Sequence, residues 1–248
     1  MSSNNNPFSL EGKTILVTGA SSGIGRGIAI ACSKMNGTVI VNGRNVSRLQ
    51  ETLDMMSGTG HTLLAADLTS HDDVLQLVEK LPKLDGIVHC AGVGIRKLCK
   101  QIEETDIDYV MNANFKAPVL LQSALLSKKK VNKGASIVFI SSIAIDTPSV
   151  GNAIYSASKG AITSYANCLK LELASRLIRV NTVHPAMVWT DLIFKDGVEE
   201  EELKADEQKY LLKRYGKPED IANLVVYLLS DASEWMTGSH LEITGGGK

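Results

Sequence analysis

Short runs of β-branched and aliphatic residues alternate along this 248-residue chain with longer stretches whose apolar residues recur at helical spacing. Residues 14–18, 38–42, 86–89, 136–140 and 179–184 read as strands buried on both faces. Between them, residues 24–35, 74–81, 107–126 and 154–173 read as helices. Repeated strand-helix units of this kind close into a parallel, doubly wound α/β sheet of about seven strands, with right-handed crossovers and helices on both faces. Such sheets take ligands at the carboxyl ends of their strands. No repeat, low-complexity linker or composition shift marks a boundary, so a single domain is expected over residues 10–248 after a flexible tail at 1–9.

Composition narrows the partners. With 44% hydrophobic residues the chain can bury a sizeable core, and a formal net charge of -1 gives no general attraction to nucleic acid or membrane. The four cysteines, Cys32, Cys90, Cys99 and Cys168, show neither CxxC spacing nor a paired framework, so buried or half-buried free thiols in a reducing compartment are expected. Met1 to Pro7 has neither the basic start nor the apolar core of a signal peptide, and the expected location is cytoplasmic. His89 and Cys90 are adjacent, but two residues do not make a metal site, and no metal is expected.

Directly after the first strand, Thr18-Gly19-Ala20-Ser21-Ser22-Gly23-Ile24-Gly25 opens a helix. Glycines there permit a tight turn and bring backbone N–H groups close to an anion, which the helix dipole also favours. Far downstream, Tyr155-Ser156-Ala157-Ser158-Lys159 places a phenol and an ammonium four residues apart on one helix face. The two motifs together resemble the short-chain dehydrogenase/reductase family, and the likeness extends over about residues 10 to 247.

That resemblance implies a Rossmann-type fold holding a nicotinamide dinucleotide. Gly19, Ser21, Ser22, Gly23, Ile24 and Gly25 would cradle its pyrophosphate, and Asp67-Leu68 resembles the family's adenine contact. Ala91, Gly92, Pro185, Val188 and Thr190 would complete the cofactor site, with Thr190 near the nicotinamide carboxamide. Two places depart from the family pattern: Ala186 replaces the usual glycine after Pro185, and His89-Cys90 stands where the family usually has two asparagines. At the end of the second strand, enzymes using NAD usually carry an acidic residue that would repel a 2′-phosphate. Here Gly43 is followed by Arg44, whose guanidinium can bind that phosphate, so NADP(H) is favoured over NAD(H).

By the same resemblance Tyr155 is the proton donor, Lys159 its activator and a ligand of the nicotinamide ribose, and Ser142 the hydroxyl that polarises the substrate carbonyl. An ammonium beside a phenol favours its ionised form, which proton transfer near neutrality needs. Ser141 competes with Ser142; spacing to the tyrosine favours Ser142. Asn114 resembles the family asparagine that holds a water in the relay to the lysine, and two asparagines within three helical residues, Asn112 and Asn114, are more than propensity explains. The implied activity is interconversion of a carbonyl and a secondary alcohol.

The closest overall likeness is to bacterial β-ketoacyl carrier-protein reductases, which would make the substrate a 3-oxoacyl thioester and acyl carrier protein a partner. Lys133 and Arg176, with Lys128, Lys129 and Lys130, fall where such a partner would dock. A sugar, polyol or sterol dehydrogenase would use the same residues, and a cofactor-binding regulator without catalysis is the reading from another class. Residues 190–212 are the least regular stretch and could form a substrate lid; their acidic run, 199–202, reads as a solvated helix face. Relatives of this type are usually homotetramers joined through the helices at 107–126 and 154–173 and the C-terminal strand, and the same assembly is expected here.

Overall fold

The computed structural model describes residues 6–194 and 199–247. In chain order it contains β1 (Thr14–Thr18), α1 (Gly23–Lys34), β2 (Thr38–Gly43), α2 (Val46–Asp54), β3 (Thr62–Ala65), α3 (His71–Lys80), β4 (Leu84–His89), α4 (Glu104–Met111), α5 (Ala117–Ser127), β5 (Val131–Ile140), α6 (Ala153–Leu173), β6 (Arg179–Pro185), α7 (Glu200–Glu207), α8 (Pro218–Leu229) and β7 (His240–Ile243). The strands form one seven-stranded sheet in the order β3-β2-β1-β4-β5-β6-β7, and every neighbouring pair is parallel. The order reverses between β1 and β4, and a crevice opens at that switch point beyond the strand ends.

Alternation along each strand divides the core into two layers. Leu16, Ile87, Ile137 and Phe139 face α3, α5 and α6, where they meet Leu77, Leu121, Leu125 and Ile162. Their neighbours Ile15, Val17, Val88 and Val138 face the opposite way and pack with Ile28 and Cys32 of α1 and Val225 and Leu229 of α8. Helices on both sides are what make these strands apolar on both faces.

Three details differ from expectation. The helix expected over 107–126 is interrupted: α4 and α5 are joined by a π-helical turn, Asn112–Lys116, that carries the buried Asn114. The two edge strands, β3 and β7, have four residues each and are only partly buried, so they lack the apolar runs that mark the inner strands. Cys32 is buried and Cys90 half-buried, whereas Cys99 and Cys168 are exposed. Within the span expected as a tail, residues 1–5 lie outside the described residues. Pro7 accepts a hydrogen bond from Ala232 N at 2.9 Å and the Phe8 ring lies 6.1 Å from that of Tyr227, so the chain is already tied to the end of α8 there.

His89, at the carboxyl end of β4, stacks on Phe139 of β5 with ring centroids 4.5 Å apart. Its Nε2 lies 3.0 Å from Gln122 Oε1, and an amide oxygen only accepts, so Nε2 carries the proton. Nδ1 and the Gln122 amide nitrogen are left buried without partners. Burial pushes the His89 pKa down to about 4, against a smaller opposing effect of the Gln122 bond. The imidazole is therefore neutral in the folded protein, while the unfolded chain takes up a proton near the ordinary value. Its contribution to stability is present above about pH 6.5 and is lost as pH falls toward 4, a loss of about 3 kcal/mol. Urea unfolding of native protein and His89→Asn across pH 4–7 should show the native protein losing that much more stability than the variant; parallel curves would refute it.

Candidate functional site

A cavity of about 1340 Å³ occupies the crevice at the carboxyl edge of the sheet. Every residue expected at the cofactor and catalytic sites lines it except Asn114, which is buried behind Gly92.

The glycine turn after β1 forms the floor. Gly19 has φ +67°, and a Cβ there would lie 2.8 Å from the Ala91 backbone after β4. At Gly25 a Cβ would lie 2.2 Å from the Gly19 carbonyl oxygen. Neither site admits a side chain without displacing backbone. Thr18 fixes the other side of this approach: its Oγ1 donates to Val88 O at 3.2 Å and accepts from Cys90 N at 3.0 Å and Ala91 N at 3.2 Å. Helix α1 starts from this turn with no side-chain cap and no acidic residue in its first turn, so its positive end is open to an anion. Arg44 stands beyond β2 with its side chain 70% exposed, and its Nη1 lies 3.9 Å from Asp67 Oδ2. Nearby, buried Asn42 donates from Nδ2 to Leu64 O at 2.9 Å and leaves Oδ1 without a partner.

On the opposite wall, Tyr155 and Lys159 rise from the first turns of α6. Lys159 is buried, donates from Nζ to Ile140 O at 2.8 Å, and holds Nζ 5.7 Å from the centre of the Tyr155 ring. The two serines after β5 differ in what they can still do. Ser141 Oγ donates to Lys159 O at 3.1 Å and lies 2.9 Å from Thr163 Oγ1, so it is consumed in packing α6 onto the sheet. Ser142 Oγ accepts from Ala144 N at 3.1 Å, which leaves its hydroxyl proton free toward the cavity. Asn114 Oδ1 accepts from Val93 N at 2.8 Å, while Nδ2 donates to Val93 O at 2.9 Å and Ser158 Oγ at 3.0 Å. Ser158 Oγ donates in turn to Tyr155 O at 2.7 Å. Sequence reasoning passed over Val93 and Ser158, although Ser158 lies inside the Tyr155 to Lys159 motif. Cys90, beside this group, has its thiol pushed up to about 12 by burial, which outweighs the opposing pull of Lys159.

The segment expected as a lid is partly helical. Its acidic run supplies the start of α7, with Glu199 at the N-cap and Glu200, Glu201 and Glu202 in the first turn, all exposed. Residues 195–198 of that segment lie outside the described residues. The far end of α7 is anchored: Glu207 accepts from Trp189 Nε1 at 2.6 Å and from Tyr215 N at 2.9 Å, and Asp206 accepts from the Tyr215 hydroxyl at 2.7 Å. Arg96, also unremarked in the sequence, is exposed and lines the cavity. The signal available was a pair of adjacent cations, Arg96-Lys97, shortly after the glycine-rich turn at Gly92.

A family model described as enoyl-(acyl carrier protein) reductase matches residues 19–248. The chain belongs to the short-chain dehydrogenase/reductase family. Among relatives in that family, a 3-oxoacyl-(acyl-carrier-protein) reductase of Rickettsia felis is 35% identical over 237 residues, covering 96% of this chain and 97% of the relative. An L-xylulose reductase of Caenorhabditis elegans is 33% identical, covering 94% of this chain and 95% of the relative. Among solved structures, a putative 2-deoxy-D-gluconate 3-dehydrogenase from Agrobacterium tumefaciens with bound NADP superposes with a TM-score of 0.87 at 29% identity, covering 98% of each chain. This chain is an oxidoreductase of that family. The tight approach at Gly19 gives a direct check on the site's framework. Gly19→Ala combines left-handed strain with the contact to Ala91 and should lower unfolding stability in urea by about 2 kcal/mol; an unchanged midpoint would show that the turn can relax.

Proposed function

We propose that this chain interconverts a carbonyl and a secondary alcohol with NADP(H) as the hydride carrier, and that Tyr155 supplies the proton during reduction. The observation that carries the reading is the convergence of Tyr155, Ser142 and Lys159 on the cavity whose floor is the Gly19 to Gly25 turn. The residues present fit the dinucleotide: a Cβ at Gly19 or Gly25 would obstruct the turn, α1 begins uncapped, and Arg44 lines the same cavity as a cation available to a 2′-phosphate. When bound, the cofactor supplies or accepts the hydride.

The chain's own residues do the rest. Ser142 donates its free hydroxyl proton to the substrate oxygen, and the bond from Ala144 N limits how that hydroxyl can turn. Tyr155 delivers a proton to the same oxygen, and the nearby Lys159 ammonium stabilises the phenolate left behind. Lys159 also holds the nicotinamide ribose. Asn114 has committed its side chain to Val93 and Ser158, so its part is positional. Tyr155→Phe should bind NADPH nearly as the native protein does and lose turnover; native-like turnover would refute the assignment.

The preference for NADP(H) rests on Arg44, which meets Asp67 only at 3.9 Å and is free to turn toward a phosphate. Arg44→Gln should weaken NADPH binding, read by fluorescence titration, by about 10-fold or more while NADH binding changes little. Equal weakening of both would remove the phosphate-reading role.

For substrate, the Rickettsia felis relative supports a 3-oxoacyl thioester carried on an acyl carrier protein. Of the basic residues considered for docking, Arg176 donates to Val131 O and Lys130 to Leu81 O, so Lys128, Lys129 and Lys133 remain exposed for an acidic partner. The reading as a sugar or polyol dehydrogenase is favoured by polar residues at the cavity's substrate end, Thr147, Ser149 and Asn152, and by the Caenorhabditis elegans relative. Turnover of 3-oxoacyl pantetheine thioesters against keto-sugars separates the two. A homotetramer in the cytoplasm completes the proposal: Leu120 and Leu171 on α5 and α6 are exposed, as an intersubunit face requires, and free thiols persist in a reducing compartment. Light scattering should give four times the chain mass.

A further inference from the structure

The substrate end of the cavity carries a cation without a partner. The segment after β4 is fixed to the loop before α6 by Lys97 N, which donates to Gly151 O at 2.9 Å. Lys97 turns its side chain away from the cavity, with Nζ 2.6 Å from Asp106 and 3.2 Å from Glu103. Arg96 lines the cavity in company with Ser142, Thr147, Asn152 and Tyr155. Among the described residues no carboxylate lies within ion-pair distance of Arg96. Each other cation of the wall has a neighbour: Arg44 and Arg48 lie loosely at 3.9 Å from Asp67 and 3.6 Å from Asp191, Lys209 lies 2.7 Å from Asp206, and Lys159 donates to Ile140 O at 2.8 Å.

We infer that Arg96 is a specificity-determining residue that receives the carboxylate of the substrate, which is a small oxo acid or, in the reverse direction, the corresponding hydroxy acid. The inference rests on the carbonyl-reducing reading of the site given above. A guanidinium lining a concave site is a ready partner for a planar carboxylate, and the charge fixes which end of a short substrate enters first. With the carboxylate at Arg96, the carbonyl is left for Ser142 and Tyr155. Hydride then adds to the carbonyl carbon, the C=O π pair becomes the new O–H bond with the proton from Tyr155, and NADPH is oxidised to NADP⁺ as the oxo acid is reduced. The carboxylate takes no part in bond making. Hydroxyl and amide groups of Thr147, Ser149 and Asn152 on the facing loop suit a polar, hydroxylated chain between the two ends.

The test compares linear oxo acids, with one to four carbons between carbonyl and carboxylate, with their methyl esters. Native protein with NADPH should favour the acid in kcat/KM, and Arg96→Gln should reduce that acid-to-ester ratio by about 10- to 100-fold, with Arg96→Lys between. A second readout needs no turnover. Calorimetric binding of the best acid to the Tyr155→Phe protein with NADPH should weaken by a similar factor when Arg96→Gln is added. An acid-to-ester ratio that survives Arg96→Gln overturns the inference. Sensitivity confined to the phosphate of 3-oxobutanoyl phosphopantetheine, measured against the unphosphorylated thioester, also overturns it. Reduction of neutral carbonyls with no acid preference sinks the role of Arg96 and preserves carbonyl reduction; tight NADPH binding with no carbonyl turned over sinks that reading, and acid binding to the NADPH complex then decides Arg96.

Discussion

Asn114 spends its whole side-chain amide on two neighbours. Its bonds to both backbone groups of Val93 hold the segment after β4, and its bond to Ser158 holds the first turns of α6. All of these groups are buried or nearly so, where losing one partner leaves the other unsatisfied at a cost of about 1–3 kcal/mol. The wall that carries Gly92 and the helix that carries Tyr155 and Lys159 therefore move together. A regular helix through residues 112–116 would aim the amide elsewhere, and the π turn is how the chain brings it into place. Thr18 performs the corresponding task on the other side of Gly92, tying β1 to the turn after β4 through one hydroxyl.

Much of this was legible in the sequence. The inner strands announce themselves because both faces are apolar, and the glycine turn announces itself because Gly19 and Gly25 sit where any Cβ meets backbone. Spacing within the tyrosine motif was enough to bring Tyr155 and Lys159 to the same cavity, and the choice of Ser142 over Ser141 agrees with the hydrogen bonds each one makes. The π turn was not legible, because residues 107–126 keep an apolar pattern that suits an unbroken helix. Two asparagines in close succession were the only trace of it. Edge strands β3 and β7 were weak signals for the opposite reason, since half-exposed strands of four residues carry too few apolar positions. That Arg96 has no acidic partner among the described residues could not be read from the sequence, because ion pairing is a property of the folded chain.

The two ends of the cavity handle charge differently. Near the glycine turn, Arg44 and Arg48 have acidic neighbours at 3.9 Å and 3.6 Å, long contacts between exposed groups that bind weakly and exchange readily. An incoming phosphate competes with little to displace. Toward the loop before α6, the cation of Lys97 is already taken by Glu103 and Asp106, while Arg96 is exposed and lines the cavity.

The elements that hold Tyr155 and Lys159 in place are also deeply set. Lys159, Asn114 and Ser158 are buried in helices packed on the sheet, whereas Arg96, Thr147, Ser149 and Glu202 lie on connecting segments or on the exposed face of α7. Asp206 and Glu207 anchor one end of α7 through Tyr215 and Trp189, and the aromatic cluster of Trp189, Phe194, Tyr210 and Tyr215 backs that anchor. Substitutions on the connecting segments can therefore alter the shape and charge of the substrate end without disturbing the amide and hydroxyl bonds beneath. A fold of this kind is compatible with relatives named for thioester, sugar and sugar-acid substrates, because the cavity residues on connecting segments can change while the deeper layer that holds Lys159, Asn114 and Ser158 is kept.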